Sequence, residues 1–186
     1  MFSKFNLTPC KVLRDFIIMS TKHLMGDDAV KKLRDLTNAA STCMFGTGLH
    51  QIPFHVCPMQ VQQVDEAGNL WFFSDATSIH NRQLEADSRT HLIFGNPQKI
   101  EYLTIYGETT ISRDRTKIDE LWTKLAEAWF PEGKEDPNLT VLRVHPIEAH
   151  YWDTENGKLI TFAKMLTAAV TGNPNDSGSV QGDIMV

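Results

Sequence analysis

The chain has 186 residues, of which 41% are hydrophobic and 22% are charged, and its formal net charge is −5 at pH 7. This length suits one domain with a substantial core, and the composition is that of an ordinary soluble globular protein, which excludes wholesale disorder. The acidic balance, with lysine and arginine spread along the chain, argues against nucleic acid as a partner.

The cysteine pattern excludes two further classes of protein. Cys10, Cys43 and Cys57 are widely spaced and odd in number, so they form no Cys-x-x-Cys metal motif and no closed disulfide framework.

The apolar run at residues 12–19 is interrupted by two charged residues, is too short to span a membrane and lacks a signal-peptide layout. We therefore expect a cytoplasmic protein with no membrane association.

Hydrophobic periodicity predicts a mainly β protein with peripheral helices. A first amphipathic helix is expected at residues 26–36, and two more helices at residues 77–86 and 116–129. Six strands are predicted, at residues 39–45, 54–64, 69–74, 90–94, 101–112 and 140–152. Six strands in a compact chain favour a closed or split barrel, because closure removes exposed sheet edges.

The two ends of the chain are predicted to lie outside this barrel. Residues 1–20 are interpreted as an N-terminal extension that need not be ordered, and residues 21–158 as the barrel domain. Residues 159–186 are expected to form a last helix, at 159–170, and then a mobile tail rich in Gly, Asn, Ser and Asp at 172–182.

The strand predicted at residues 54–64 changes the parity of its apolar positions. Phe54 and Val56 define one face, whereas Met59 and Val61 have the opposite parity, and Pro58 stands between the pairs. A β-bulge or edge break at Pro58 and the preceding residue would restore the register and leave backbone groups free to bind a ligand. The alternative is an ordinary proline on an edge strand.

Hydroxyl side chains mark the start of the helix predicted at residues 77–86. Ser74, Thr77 and Ser78 are followed by His80. Unpaired N–H groups and the positive end of the helix dipole make such a junction suitable for a phosphate group. The alternatives are that the hydroxyls only cap the helix and that His80 is a solvated surface residue, since a cationic phosphate contact requires its protonation.

The order of these motifs resembles the flavin-binding split barrels related to pyridoxamine 5′-phosphate oxidase, and most closely their general stress protein branch. The motifs are Pro58-Met59, LWFFS at 70–74, SIHNRQL at 78–84, YLTIYGE at 102–108 and AHYWD at 149–153. The resemblance spans roughly residues 33–153, and it implies a six-stranded split barrel that binds FMN.

The resemblance also implies where FMN would lie and how the protein assembles. The family is typically homodimeric with flavin at the subunit interface, where Trp152 or Trp129 would come from the second protomer. The isoalloxazine ring would lie against the backbone of Met59, Gln60 and Val61. The ribityl chain and phosphate would lie beside Phe72, Phe73, Ser74, Thr77, Ser78 and His80.

The sequence departs from the family where positive charge is expected. Ile79 and His80 occupy places where the oxidase has arginine and lysine, and Cys57 replaces an arginine common in relatives. Charge-assisted hydrogen bonds contribute about 1.5–3 kcal/mol each, so FMN affinity would fall by a few orders of magnitude unless Arg82 or Lys99 compensates. The substrate-binding residues of the oxidase lack counterparts after residue 152, which argues against pyridoxamine phosphate as substrate.

Three functional hypotheses follow from the resemblance and its departures. The first is an FMN-dependent oxidoreductase of unknown substrate, with a deazaflavin as an alternative cofactor. The second is a non-catalytic stress protein that stores or senses flavin, and the third is a scaffold that has lost its cofactor. No side chain is identified as a catalytic acid or base.

Metal binding is not expected from the sequence. The histidine pairs His50 with His55 and His145 with His150 do not place both side chains on one strand face. No motif rich in cysteine or carboxylates accompanies either pair, and zinc sites require such partners.

Overall fold

The structure, a computed structural model, describes residues 20–154 and 179–185. These residues form one ten-stranded sheet, three α-helices and two 3₁₀ turns, Ala126–Ala128 and Gly133–Glu135. The helices are α1 (Gly26–Ala40), α2 (Ile79–Ala86) and α3 (Arg115–Leu121). The strands are β1 (Ser20–Thr21), β2 (Leu24–Met25), β3 (Thr42–Thr47), β4 (His55–Gln60), β5 (Gln63–Val64), β6 (Leu70–Asp75), β7 (Arg89–Asn96), β8 (Glu101–Ser112), β9 (Leu139–Thr154) and β10 (Ser179–Met185).

Helix α1 confirms the first predicted helix and extends it to Ala40. Its first turn carries Asp27 and Asp28, whose negative charge is favourable at the positive end of the helix dipole. Ala29, Leu33 and Leu36 are buried at helical spacing and join the main hydrophobic core. The helix therefore covers the barrel through one apolar face.

The sheet is an open, split barrel with the strand order β1-β10-β9-β8-β7-β3-β4. Strand β9 pairs with β8 along one edge, while its other edge pairs with β6 and then with β10. Within residues 20–154 and 179–185, β4 pairs only with β3, so hydrogen bonding does not close the barrel between β4 and β6. The predicted split-barrel class is supported, but the count of six strands is wrong, because short strands and β10 extend the sheet.

A register shift in the long β8–β9 pair lies at Gly107. The register shifts between Tyr106 and Gly107, where Gly107 lies opposite Pro146. A Cβ atom at Gly107 would lie 2.4 Å from the carbonyl oxygen of His145, which is far inside van der Waals contact. Only glycine allows this close approach of the two strands.

The predicted irregularity at Pro58 is not present. The β3–β4 register is continuous from Thr42 opposite Gln60 to Thr47 opposite His55, with Pro58 facing Met44. The alternative, an edge-strand proline, is confirmed, since β4 ends the strand order. The parity of apolar residues changes because β4 also presents apolar side chains on its exposed face, where Val56 retains 40% of its accessible surface.

Two other predicted elements require correction. The helix predicted at 116–129 ends at Leu121, because Trp122 adopts an extended backbone with ψ of 127°. The predicted mobile tail is wrong where the structure describes it, since β10 pairs with β9 from Ser179 to Ile184. The predicted helix at 159–170 and the N-terminal residues 1–19 lie outside the described residues.

Two hydrophobic clusters pack on opposite sides of β6. The main core includes Phe45 and Phe72, whose ring centroids lie 5.2 Å apart in an edge-to-face contact. The second cluster includes Phe73, which packs against Trp122 and Phe130. Successive strand residues point to opposite faces, so Phe72 faces the main core and Phe73 faces the second cluster.

No helix in the part of the chain that the structure describes is long and apolar enough to cross a membrane.

Candidate functional site

The edge of β4 that pairs with no other described strand lies beside the end of β6 and the start of α2, and we call this junction the cleft. His55 and Cys57 are two residues apart on β4, so their side chains point to the same face. The first turn of α2 brings His80 to the same place, and all three residues are half-buried. We call His55, Cys57 and His80 the site cluster.

The ring nitrogens and the sulfur of the site cluster lie close together. One ring nitrogen from each histidine and the Cys57 sulfur all lie within 4.8 Å of one another. The Sγ atom of Cys57 is 3.7 Å from Nδ1 of His80, and the rings of His55 and His80 are nearly parallel with centroids 6.4 Å apart. The alternation of β4 could have paired His55 with Cys57 from the sequence, but only the fold brings His80 to them.

A buried hydrogen-bond network fixes the orientation of His80. The hydroxyl of Thr140 donates to the Ser74 carbonyl at 2.9 Å, and the side-chain amide of Asn81 donates to Thr140 Oγ1 at 3.0 Å. The Asn81 carbonyl oxygen therefore accepts from the Ser74 hydroxyl at 2.6 Å. Because the Ser74 proton is committed, Ser74 Oγ accepts from Nε2–H of His80 at 2.6 Å. The remaining ring nitrogen, Nδ1, presents its lone pair to Cys57.

Burial favours the neutral forms of His80 and Cys57. Burial lowers the pKa of His80, and the neighbouring His55 lowers it further, against a smaller opposite effect of Asp75. Burial raises the pKa of the Cys57 thiol. The site cluster therefore offers hydrogen bonds and lone pairs to a ligand, but little positive charge.

The hydroxyls at the start of α2 have separate partners. Ser78 caps the helix, since its Oγ accepts from the Asn81 amide at 3.2 Å, which confirms the capping interpretation for this residue. Thr77 is exposed, and its amide and hydroxyl both donate to Asp75, at 2.6 and 2.7 Å. The structure thus separates Ser74, which is buried under His80, from the two exposed or capping hydroxyls.

Of the two cations expected to compensate for lost charge, only Arg82 lies near this helix start. Its guanidinium donates to the Thr77 carbonyl at 3.1 Å and is exposed. Lys99 lies in the turn between β7 and β8, where its charge acts on Glu101. Arg82 is therefore the candidate contact for an anion at the start of α2.

The strand expected to face the flavin ring remains accessible at some of its groups. Met59 is buried, whereas Gln60 and Val61 are half-buried. The amide of Val61 donates to the Ser41 carbonyl at 3.0 Å, so this N–H is already used. Trp152 lies on β9. Three strands separate β9 from β4 in the sheet order, so the sheet of a single chain does not place Trp152 beside Met59.

The aromatic pair of β6 is enclosed by the protein. The Phe72 side chain is fully buried in the main core, and Phe73 is 9% exposed in the second cluster. Any contact of these two residues with a ligand in the cleft is therefore limited to their backbone groups.

A second polar cluster lies at the other end of β6. The Asp65 carboxylate accepts from the Asn69 amide at 2.8 Å and from the indole N–H of Trp71 at 2.9 Å. Arg34 donates to the Asp65 carbonyl at 3.0 Å, and Lys117 Nζ lies 4.4 Å from the Trp71 ring centroid. We call Arg34, Asp65, Trp71 and Lys117 the hairpin cluster. It borders an open cleft of about 470 Å³ that contains none of the predicted site residues.

The outer face of the sheet carries an exposed apolar row. Met44 lies opposite both Pro58 on β4 and Ile93 on β7, so the three side chains form one line across the sheet. Met44 and Ile93 retain 45% and 47% of their accessible surface. Contiguous exposed apolar surface of this kind is typical of an interaction site. We call Pro58, Met44 and Ile93 the outer row.

Comparisons with known proteins agree with this architecture. A sequence profile of the family described as pyridoxamine 5′-phosphate oxidase like matches residues 28–176. A solved structure described as general stress protein 26 from Jannaschia superposes with a TM-score of 0.68 at 23% identity, covering 84% of this chain and 95% of that chain. This likeness shows the fold.

Two further relatives carry more informative descriptions. A structure described as a general stress FMN/FAD binding protein from Xanthomonas citri has a TM-score of 0.58 at 27% identity, covering 67% of this chain and 87% of that one. The bli-3 protein of Neurospora crassa is 25% identical over 114 residues, which are 57% of this chain and 54% of that protein. The chain thus spans about half the length of this curated relative.

Proposed function

The chain belongs to the family of pyridoxamine 5′-phosphate oxidase-like proteins, and on this basis we propose that it binds FMN in the cleft between β4 and α2. The observation that carries the proposal is the unpaired edge of β4 beside the start of α2. The ring would lie against the backbone of residues 59–61, and the phosphate would meet the helix start. The description of the Xanthomonas relative as FMN/FAD binding supports the same cofactor.

The phosphate contacts would be mostly neutral hydrogen bonds. Ser78 supplies a hydroxyl, and the α2 amides that precede the capped Asn81 supply further donors, whereas the His80 Nε2–H and the Ser74 hydroxyl already donate to Ser74 and Asn81. Because burial keeps His80 neutral, the only cation we assign to the phosphate is Arg82. We therefore propose weak FMN binding relative to a site with two or three cations.

A comparison of FMN with riboflavin tests the phosphate assignment. The double variant Ser78→Ala with Arg82→Ala should weaken FMN at least tenfold, measured by flavin fluorescence titration in the presence of a chelator, while riboflavin affinity changes little. Asp114→Ala, which removes the cap of α3 away from the cleft, is the matched control for the loss of a helix cap. An equal loss for FMN and riboflavin would contradict the assignment.

We propose that the protein is a homodimer with the flavin at the interface. The outer row supplies an exposed apolar surface beside the β4 edge, and Trp152 of the second protomer would cover the ring. Light scattering should report a dimer, and Ile93→Glu should give a monomer with reduced FMN affinity because a charge would be buried at the interface. A strictly monomeric wild type that still binds FMN would contradict this placement.

FMN, once bound, would supply hydride or electron transfer, since the flavin carries this chemistry and the protein supplies orientation. The role proposed first is therefore a flavin-dependent oxidoreductase. Reduction of the bound flavin by NADH or NADPH, followed by turnover with an acceptor, would support it. A pyridoxamine phosphate oxidase activity is not expected.

A non-catalytic flavin-binding stress protein is the second candidate. The scarcity of cations at the proposed phosphate position favours it, because each missing charge-assisted hydrogen bond weakens retention of the cofactor. A bound flavin inert to nicotinamides and acceptors would support this role, and a parallel titration with a deazaflavin would identify the alternative cofactor.

The free thiols of Cys43 and Cys57 are consistent with the proposed cytoplasmic location.

A further inference from the structure

The site cluster has a ligand set that flavin binding does not explain. One thiol and two imidazoles converge at the cleft, with their donor atoms within 4.8 Å of one another. Nitrogen and sulfur donors of this kind are the usual ligands of zinc and of similar transition metals. A flavin phosphate, in contrast, prefers N–H and O–H donors or positive charge.

The distance between Cys57 and His80 matches that between two ligands of a metal site before any ion is bound. With zinc–sulfur bonds near 2.3 Å and zinc–nitrogen bonds near 2.0–2.1 Å, two ligands of a tetrahedral site lie about 3.6 Å apart. The distance from Cys57 Sγ to His80 Nδ1 is 3.7 Å. The ring nitrogen of His55 lies within 4.8 Å of both atoms, so the His55 side chain must move closer for the three atoms to share one ion.

The Ser74 network selects the tautomer of His80 that a metal requires. Metal-binding histidines generally donate their other ring N–H to a neighbouring acceptor, which fixes the ring and leaves one lone pair for the ion. His80 does so through its 2.6 Å hydrogen bond to Ser74 Oγ, and the buried residues Asn81 and Thr140 hold Ser74 in place. This arrangement presents His80 Nδ1 directly to Cys57.

We propose that His55, Cys57 and His80 bind a divalent transition-metal ion of the zinc class, with a fourth coordination position open to water or to an added ligand. Binding forms one metal–sulfur and two metal–nitrogen bonds and releases the Cys57 thiol proton to solvent. Ser74 is a positioning residue, because it acts on the ion only through His80. The proposal does not depend on FMN, because the three ligands are all supplied by the protein.

Cobalt titration of the flavin-free full chain tests the proposal. The protein is purified with its thiols reduced, freed of metals with a chelator, and titrated with Co²⁺ alone. We expect one Co²⁺ per chain, a thiolate-to-cobalt charge-transfer band, and loss of the band when Zn²⁺ is added. Neither readout involves flavin, so failure here and failure of FMN binding are distinguishable.

Variants assign the ligands. Cys57→Ser should abolish the charge-transfer band, His55→Gln and His80→Gln should each weaken Co²⁺ at least tenfold, and Ser74→Ala should weaken it about 10–100-fold. The matched controls are Cys43→Ala, which removes another cysteine, and His145→Asn, which removes an exposed histidine on β9. Both controls should keep the band.

Two results would overturn the proposal. One is a folded wild type, verified by circular dichroism, that shows no charge-transfer band with Co²⁺. The other is a band that persists in Cys57→Ser, since a different thiol would then bind the ion. If Cys57→Ser does not fold, Cys57→Ala replaces it, and the thermal melting curve of each variant shows that lost binding is not lost structure.

Discussion

The two polar clusters at opposite ends of β6 differ in how completely the protein satisfies them. In the hairpin cluster, the Asp65 carboxylate accepts hydrogen bonds from Asn69 and Trp71, and Arg34 donates to backbone carbonyls. In the site cluster, His80 is held through one ring nitrogen while the other faces a thiol. The difference indicates that the hairpin cluster stabilises the fold, whereas the site cluster is arranged for a ligand.

Charge separates the two clusters as well. Burial acts to raise the pKa of Asp65, but hydrogen bonds from Asn69 and Trp71 outweigh it and lower the pKa below its ordinary value, so this carboxylate stays ionised. Burial instead keeps His80 and Cys57 neutral. The charged Asp65 carboxylate is stabilised by several hydrogen-bond donors, whereas the lone pairs of neutral His80 and Cys57 are available to an added cation.

The hydrogen-bond network of Ser74, Asn81 and Thr140 supports the site cluster. The largest effect on the free energy of unfolding is expected when this network is broken. Asn81→Ala would remove the acceptor of the buried Ser74 hydroxyl proton and the donor to Thr140 Oγ1, so we expect the free energy of unfolding to fall by about 2–3 kcal/mol. Denaturant unfolding measures this loss. The control is Arg82→Ala at the neighbouring exposed position, and an equal loss in both variants would show that the network does not stabilise the fold.

The next effect concerns the hairpin cluster and depends on pH. Asp65→Asn should lower the free energy of unfolding by about 1–2 kcal/mol at pH 7, because charge-assisted hydrogen bonds are lost. The folded pKa of Asp65 is lowered, so its contribution is fully present above the unfolded value of 3.8 and is lost as the pH falls through the folded value.

The difference between Asp65→Asn and wild type should therefore narrow in acid, as followed by unfolding curves across the acidic range. Glu66→Gln, at the exposed neighbouring position, should show no comparable narrowing. A deficit that stays constant with pH would mean that hydrogen-bond geometry, rather than charge, accounts for the role of Asp65.

A smaller effect is expected at Lys117. Its ammonium lies 4.4 Å from the Trp71 ring centroid and 2.9 Å from Glu120, so Lys117→Met should lower the free energy of unfolding by about 0.5–1 kcal/mol. Thermal unfolding measures the change, and Lys134→Met, at an exposed ion pair with Asp119, is the control. Cobalt binding should be unchanged, and its loss would show that the two clusters are coupled.

The smallest effect on stability is expected at the site cluster itself when metal is absent. Cys57→Ser should change the free energy of unfolding by less than about 0.5 kcal/mol, since the residue is half-exposed and uncharged. With Zn²⁺ at 100 times its dissociation constant, wild type should gain about 2.7 kcal/mol while the variant gains nothing. A large metal-free loss in Cys57→Ser would place the cysteine among the structural residues.

Local pattern was sufficient for most elements of the fold. Strand β8 was predicted with its bounds, and α1, α2, β6 and β9 within a few residues, because turn residues and apolar alternation mark them directly. The helix predicted at residues 116–129 was too long, since Trp122 instead packs against Phe73 in a tertiary cluster and Trp129 is exposed. The pairing of β10 with β9 was missed because a polar, glycine-rich segment shows no strand pattern by itself.

The candidate site was predictable only in part, for a physical reason. The local sequence pattern was sufficient to predict that hydroxyl residues and His80 begin a helix after an aromatic strand. The resemblance to flavin-binding split barrels indicated the family. Which nitrogen of His80 faces outward depends on Asn81 and Thr140, and the convergence of His55, Cys57 and His80 depends on the spacing of β4 and α2. Tautomers and ligand distances are set by contacts between residues far apart in the chain, so only the tertiary structure decided them.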